Sequence, residues 1–326
     1  VDVLVVGGGP AGLFAGFYAG LRGLSVKIID ALEELGGQLA VLYPEKFIFD
    51  VAGFPRILAR DLAHNLVDQV LQYHPELVLG ERVVALEKAG ERRFIVTTGK
   101  GTRHAGKVVI ITAGVGAFSP NKVNVPSLDR FEGNGVYYFV KEKRAFENKR
   151  LLIVGGGDSA LDWVFNLQDT ARSVTLIHRR DVFRAHEDSV RRLFNSGVPV
   201  KLFYEIRELR GNSHPEEVVI FNNKTGEQET LPVDAVLLNL GFRADVGPIK
   251  NWGLEMDGRY IKVNGRMETS IPGVYAAGDI ASDVHSVNLN LIAVAFGQAA
   301  VAANCAANYI NPKASVFPGH SSEMSK

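Results

Sequence analysis

Two glycine-rich turns carry most of the chemistry legible in this chain: Gly7-Gly8-Gly9-Pro10-Ala11-Gly12 and Gly155-Gly156-Gly157-Asp158-Ser159-Ala160. Glycine at this spacing permits a tight turn and lets backbone amides approach a pyrophosphate, whose charge then rests at a helix N-terminus. Each turn follows a short apolar run, Val1 to Val6 and Leu151 to Val154, and opens a helix-like segment. That context separates a dinucleotide site from a plain strand-to-helix turn. Gly7, Gly9 and Gly12 are the expected contacts in the first copy, and Gly155, Gly157, Asp158 and Ser159 in the second. The copies differ at the residue that reads the adenosine ribose. At equal distance from each turn, Asp30 in the first corresponds to His178 in the second, and His178 is followed by Arg179 and Arg180. A carboxylate accepts hydrogen bonds from ribose hydroxyls and repels a 2′-phosphate, whereas guanidinium groups bind that phosphate through forked, charge-assisted bonds. The first site is therefore expected to take FAD and the second NADP(H).

The elements that must position these residues follow from hydrophobic patterning. The first unit reads as a strand (1–6), a helix (11–22) and a strand (25–30), an alternation that predicts a parallel sheet covered on both faces. Segments 82–88 and 93–98 alternate polar and apolar residues across Gly90 and predict a hairpin layer, after which 107–112 returns as a continuous apolar strand. The chain is expected to cross into the second unit around Gly114 to Pro120. That unit carries strands at 151–154, 173–178 and 234–239, with helices from Ser159 and after Arg184. The late stretch Gly273-Val274-Tyr275-Ala276-Ala277-Gly278-Asp279 reads as a strand leading into a Gly-Asp turn, and spacing alone leaves open which sheet it joins.

Bulk properties narrow the function further. A chain of 326 residues, 46% hydrophobic and 22% charged, is long enough for two globular domains. Its formal net charge of zero argues against a nucleic-acid binder, which carries a basic excess. No apolar run reaches the roughly 18 residues of a membrane span, and the first residues enter a strand with no signal-like segment, so the cytoplasm is the expected location. Cys305 is the sole cysteine, which excludes an internal disulfide, a Cys-x-x-Cys redox pair and a multi-cysteine metal site. It sits among alanines and reads as a small packing residue. No metal site is expected.

With these features together, the chain resembles the two-domain flavoprotein pyridine-nucleotide reductases of the thioredoxin reductase type. The resemblance rests on GGGPAG at Gly7, GGQL at Gly36 to Leu39, GGGDSALD at Gly155 to Asp162, HRRDVFRAHE at His178 to Glu187, and YAAGDI at Tyr275 to Ile280. It implies an α/β fold of two Rossmann-like, three-layer domains, with the NADPH domain inserted into a discontinuous FAD domain. The expected limits are 1–116 and 243–326 for the FAD domain and 117–242 for the NADP(H) domain. Where thioredoxin reductases carry their Cys-x-x-Cys pair, this chain has Phe139 and Glu142. Within the superfamily it is similar to the thioredoxin-reductase-like ferredoxin-NADP+ reductases of bacteria and archaea, through Leu42-Tyr43-Pro44-Glu45-Lys46, Asp50 to Pro55, Ala117-Phe118, Gly247-Pro248 and the tail Phe317 to Ser322.

That resemblance implies non-covalent FAD, NADP(H) as substrate, a ferredoxin or similar small iron-sulfur protein as partner, and a homodimer whose C-terminal tail reaches the flavin. Tyr43 is expected to stack on one face of the flavin and His320, with Phe317 as an alternative, on the other. By the same resemblance Gln38, Val83, Phe118, Asp279 and Ser322 join Asp30 around FAD, although Asp279 also suits a cap for the following helix. Around the 2′-phosphate, Arg184 is expected beside Arg179 and Arg180, with a solvated helix face shared with Arg191 and Arg192 as the plainer reading. His178 is expected to touch adenine or ribose. The segment 283–288 departs from the relatives' pattern near the flavin edge. Two other functions fit the same motifs: an NAD(P)H flavin or quinone reductase, and a redox sensor that holds both nucleotides without turnover.

Overall fold

In the computed structural model the described residues are 1–283 and 287–320, with the side chains of 117–119, 243 and 244 outside the description. The chain forms two compact units, Val1–Phe118 with Ala244–Lys326, and Ser119–Arg243. No described helix is long and apolar enough to cross a membrane.

The first unit is built on a five-stranded parallel sheet ordered Val274–Ala276, Val108–Ile111, Val3–Val6, Val26–Ile29, Glu76–Val78. Val3–Val6 and Val108–Ile111 are buried along their whole length, as strands covered on both faces must be. The late strand joins this sheet, with Val274 opposite Val109, so the first unit is discontinuous in sequence. The helices Pro10–Leu21, Ala59–Leu71 and Ile292–Ile310 complete the unit, the first and last packing along one another. Beyond the expected hairpin, a third strand, Arg103–Gly106, extends the layer Val83–Gly90 and Arg93–Thr98. Preceded by Gly101 and ending on Gly106, it is too short to show a clear alternation in sequence.

The second unit repeats the plan: Val136–Tyr137, Ala235–Leu238, Arg150–Val154, Ser173–His178, Val200–Leu202, again all parallel. Leu151 and Ile153 enter one core while Leu152 and Val154 enter another, which is the period-two signature of a sheet buried on both sides. Each such side chain, fully withdrawn from water, contributes about 1.5–3 kcal/mol. An antiparallel layer, Tyr204–Gly211, Pro215–Asn222 and Gln228–Pro232, occupies the place that the layer 83–106 holds in the first unit. Sequence patterning did not single it out, because Glu and Arg interrupt the apolar positions of its first strand and Glu217 precedes the buried run Val218 to Ile220 of its second.

Candidate functional site

In the first unit a cleft of about 280 Å³ opens at the carboxyl ends of the parallel strands, the place where this architecture binds ligands. Gly7 leaves the first strand with φ of 112°, and a Cβ there would lie 2.4 Å from the Thr112 carbonyl. Gly12 is tighter still, since its Cβ would stand 1.8 Å from the Gly7 carbonyl oxygen. Thr112, which sequence reasoning passed over, donates its hydroxyl to that carbonyl at 2.8 Å and locks the turn. The only advance signal was a polar residue closing an otherwise apolar strand. Gly9 caps the helix Pro10–Leu21 without any side-chain hydrogen bond, so the first-turn amides stay open to an anion.

The Gly36-Gly37 pair explains itself by close approach. Gly36 N–H donates to the Gly8 carbonyl at 2.9 Å, and a Cβ on Gly37 would stand 2.8 Å from the Gly9 Cα. The pair thereby presses the loop carrying Gln38 onto the phosphate turn. Asp30 is buried, and its carboxylate accepts from the N–H groups of Gly8 and Leu32, the latter at 2.7 Å. Burial pushes its pKa up, with the two backbone bonds opposing.

Gly7, Gly9, Asp30, Gln38, Tyr43, Val83 and Asp279 line this cleft, and Gly12 supports it from behind. The Tyr43 phenol is pushed up to about 12 by burial and by the carboxylates of Asp279 and Asp50, so it presents a neutral ring. Asp279 does not cap the next helix, which begins only at Ile292 with Leu291 at its N-cap. Instead it follows Gly278, whose N–H donates to Gln298 Oε1 at 2.8 Å, a clamp that sequence reasoning missed. The side chain of Phe118 and all of Ser322 lie outside the described residues.

His320 does not line the cleft; its ring meets Phe317 edge-on at 5.5 Å. The reason is upstream. Arg22, just past the C-terminal end of the helix Pro10–Leu21, donates to the carbonyls of Ser315 and Val316 at 2.8 and 3.1 Å. The tail thus departs from the end of that helix opposite the cleft, about 18 Å away at 1.5 Å per residue. Four residues beyond Val316 span at most about 14 Å.

The second unit holds a larger cleft, of about 1010 Å³, at the matching place. Gly155, Gly157, Asp158, Ser159, His178, Arg179, Arg180 and Arg184 all line it. Gly157 caps the helix Asp158–Leu167 with nothing within 4 Å of where its Cβ would be, again leaving amides open. The His178 ring lies flat under Gly156, whose Cβ would meet it at 2.4 Å, and is packed on Phe183. Its Nε2 lies 3.1 Å from the Val182 carbonyl. Burial and the neighbouring guanidiniums lower its pKa, which suits a neutral donor holding the loop rather than a proton carrier.

Segment 182–186 is strapped onto the glycine turn. Arg184 and Ala185 donate their N–H groups to the Gly156 carbonyl at 2.7 and 3.3 Å, and His186 N–H donates to Asp158 Oδ1 at 2.9 Å. Arg184 therefore precedes the helix Glu187–Asn195 and does not share its solvated face with Arg191 and Arg192. Asp158, expected to touch the dinucleotide, commits one oxygen to this strap. Among the described residues Arg179, Arg180 and Arg184 make no ion pair, so three guanidiniums line the cleft without a carboxylate bound to any of them. Asn239 at the cleft floor buries an amide oxygen with no partner among the described residues.

No thiol stands near either cleft. Phe139 is half-buried under the Lys141 ammonium at 5.9 Å, and Cys305 is buried in the helix Ile292–Ile310, its pKa raised by burial.

The model of the pyridine nucleotide-disulphide oxidoreductase family matches residues 1–299. The chain is 54% identical to a ferredoxin–NADP reductase of Thermus thermophilus, over 99% of this chain and 96% of that protein. It is 50% identical to one of Sulfurisphaera tokodaii, over 100% and 98%. Among solved structures it is similar to thioredoxin reductases of Lactococcus lactis, at TM-score 0.75 and 26% identity, and of T. acidophilum, at 0.75 and 28%. Both matches cover 95% of this chain and 98% of the other.

Proposed function

The chain belongs to the pyridine nucleotide-disulphide oxidoreductase family, and from that premise we propose that it is an FAD-dependent reductase moving electrons between NADP(H) and a ferredoxin. One observation carries the reading: two equivalent glycine turns, one closed by the Asp30 carboxylate, the other ringed by Arg179, Arg180 and Arg184. The first cleft fits FAD because Gly7 and Gly12 let the turn close against its own backbone and Thr112 more tightly than any Cβ allows, which leaves an uncapped helix N-terminus facing the cleft.

FAD, when bound, supplies a ring that takes a hydride at N5 and releases electrons singly. The chain's residues position and shield it. Gly7, Gly9 and Gly12 hold the pyrophosphate turn open, and Asp30 accepts from the ribose. Gln38, Val83 and Asp279 complete the contacts, and Tyr43, protonated at neutral pH, offers its ring to one flavin face. In the second unit Gly155, Gly157 and Ser159 receive the NADPH pyrophosphate while the three arginines take its 2′-phosphate. The thioredoxin reductases pass electrons through paired cysteines; Phe139 and Glu142 stand in that place here, which favours direct transfer to an outside acceptor.

The protein works as a homodimer in the cytoplasm on this reading. The short reach of the tail beyond Val316 favours His320 covering the flavin of a partner subunit rather than its own. The direct test is anaerobic reduction of a purified ferredoxin by NADPH, followed by absorbance, beside free flavins and quinones. Ferredoxin reduction with strong preference for NADPH over NADH is expected. Turnover with quinones or flavins and none with ferredoxin overturns the acceptor, and absence of turnover with every acceptor leaves a nucleotide-binding sensor.

A further inference from the structure

The two units are repeats, and their repetition assigns a residue that the motifs leave without a role. In each, the parallel strand at the sheet edge (Glu76–Val78, Val200–Leu202) runs directly into the antiparallel layer. At that junction both chains take a positive φ, 68° at Gly80 and 66° at Phe203. The match aligns Val83 with Ile206 and Arg82 with Glu205, and all four line their clefts. A phenylalanine in the left-handed region is held there at a cost. Asn223 N–H donates to the Phe203 carbonyl at 2.7 Å, and the Lys224 ammonium sits 3.6 Å from its ring centre. That junction turns Glu205 into the cleft.

In this architecture the end of the second strand reads the adenosine ribose, so the adenine extends over the end of the neighbouring strand. His178 closes the strand that follows the glycine turn's helix and lies opposite Leu202 in the edge strand, which puts residues 203–206 beside the adenine. Glu205 is the acidic residue among them. Its Oε1 accepts from Asn223 Nδ2 at 2.9 Å, and the same amide donates to the Arg179 carbonyl at 3.0 Å. Among the described residues Oε2 has no hydrogen-bond partner, and no guanidinium of the cleft pairs with it. A carboxylate in a cleft built for a phosphate opposes the ligand at long range unless the ligand brings it a donor. An ionised carboxylate only accepts. The 6-amino group of adenine is such a donor on that edge, and hypoxanthine presents a carbonyl oxygen there instead.

We propose that Glu205 reads the 6-amino group of the adenine of NADP(H), held in place by Asn223, and so selects adenine over hypoxanthine. The proposal rests on the reading of the second cleft as the NADP(H) site. The test is steady-state oxidation of NADPH and of reduced nicotinamide hypoxanthine dinucleotide phosphate by the holoenzyme, with ferricyanide as acceptor. The wild type should favour NADPH by about tenfold or more in kcat/KM, expressed in KM, since a hydrogen bond to a charged group is at stake. Glu205→Gln, its oxygen kept by Asn223, turns a donor toward the base and should abolish or reverse the preference for NADPH with kcat little changed. Both substrates carry the 2′-phosphate, so its repulsion cancels in the ratio. Should that variant fail to fold, judged by flavin content and solubility, Glu205→Asp withdraws the carboxylate by one methylene and must narrow the ratio likewise. Equal use of both substrates by the wild type, or a wild-type ratio in the variant, overturns the proposal. Arg179→Ala with Arg180→Ala separates the two readings: loss of the NADPH preference over NADH upholds the site even where Glu205 fails, and an intact preference brings down both.

Discussion

Gly12→Ala tests the first cleft at its tightest point. The added Cβ would lie 1.8 Å from the Gly7 carbonyl oxygen and 2.7 Å from Thr112 Oγ1. The nearest clash is with backbone, so no side chain can swing aside. To restore an ordinary carbon–oxygen contact of about 3.3 Å, the turn and helix must separate by about 1.5 Å. Overpacking of this kind costs about 1–3 kcal/mol. Taken from the binding of FAD at about 1.4 kcal/mol per decade, this weakens the cofactor by about five- to a hundredfold. The second unit supplies the control, because Ala160 occupies the same place and its methyl already stands 3.1 Å from where a Cβ on Gly155 would be. Ala160→Gly should therefore cost only about 0.5–1 kcal/mol in helix stability and leave the KM for NADPH nearly unchanged. The assay is flavin content of purified protein by absorbance, with calorimetric titration of the apoprotein by FAD. A Gly12→Ala variant that keeps a full complement of flavin at wild-type affinity refutes the account of the turn.

Cys305→Ser should leave NADPH-driven acceptor reduction unchanged while lowering stability by about 1–3 kcal/mol, because a hydroxyl replaces a thiol in a buried apolar setting; a large loss of kcat in folded, flavin-loaded protein contradicts the packing role. Removing residues from Phe317 onward, or His320→Ala, should retain FAD yet alter the flavin visible spectrum and the hydride-transfer rate in anaerobic stopped-flow, since nicotinamide must come within about 3–3.5 Å of the flavin face the tail covers. Unchanged spectra and rates in both reject His320 as a cover. Asp234, bound to Arg150 through both oxygens at 2.6 and 2.9 Å, has its pKa lowered from 3.8 to about 2 by that guanidinium. Its folded-state pKa lies below the unfolded one, so the stability it adds is present above pH 3.8 and fades as pH falls toward about 2. Urea unfolding should show the gap between wild type and Asp234→Asn shrinking over that window; a gap independent of pH assigns it to something other than the ion pair.

The sequence by itself determined the two nucleotide turns, the opposite charge of the residues that close them, and the absence of a redox cysteine pair. These are local facts. Glycine sterics act within a few residues, and the sign of a side chain at the end of a strand needs only the count from the turn. Strands buried on both faces were equally legible, because Val3–Val6 and Val108–Ile111 are apolar throughout. What only the tertiary structure decided lies in contacts between distant segments. The strand Val274–Ala276 found its partner in Val108–Ile111, which no periodicity could name. Arg184 was released from its helix by the Gly156 carbonyl, Asp279 was relieved of capping by a helix that starts at Ile292, and Asn223 reached Arg179 and Glu205 from the far end of the strand Pro215–Asn222. A sequence encodes which residues seek burial or a hydrogen bond. Which partner satisfies each is settled only when the sheets close and the loops at their carboxyl ends are brought within reach of one another.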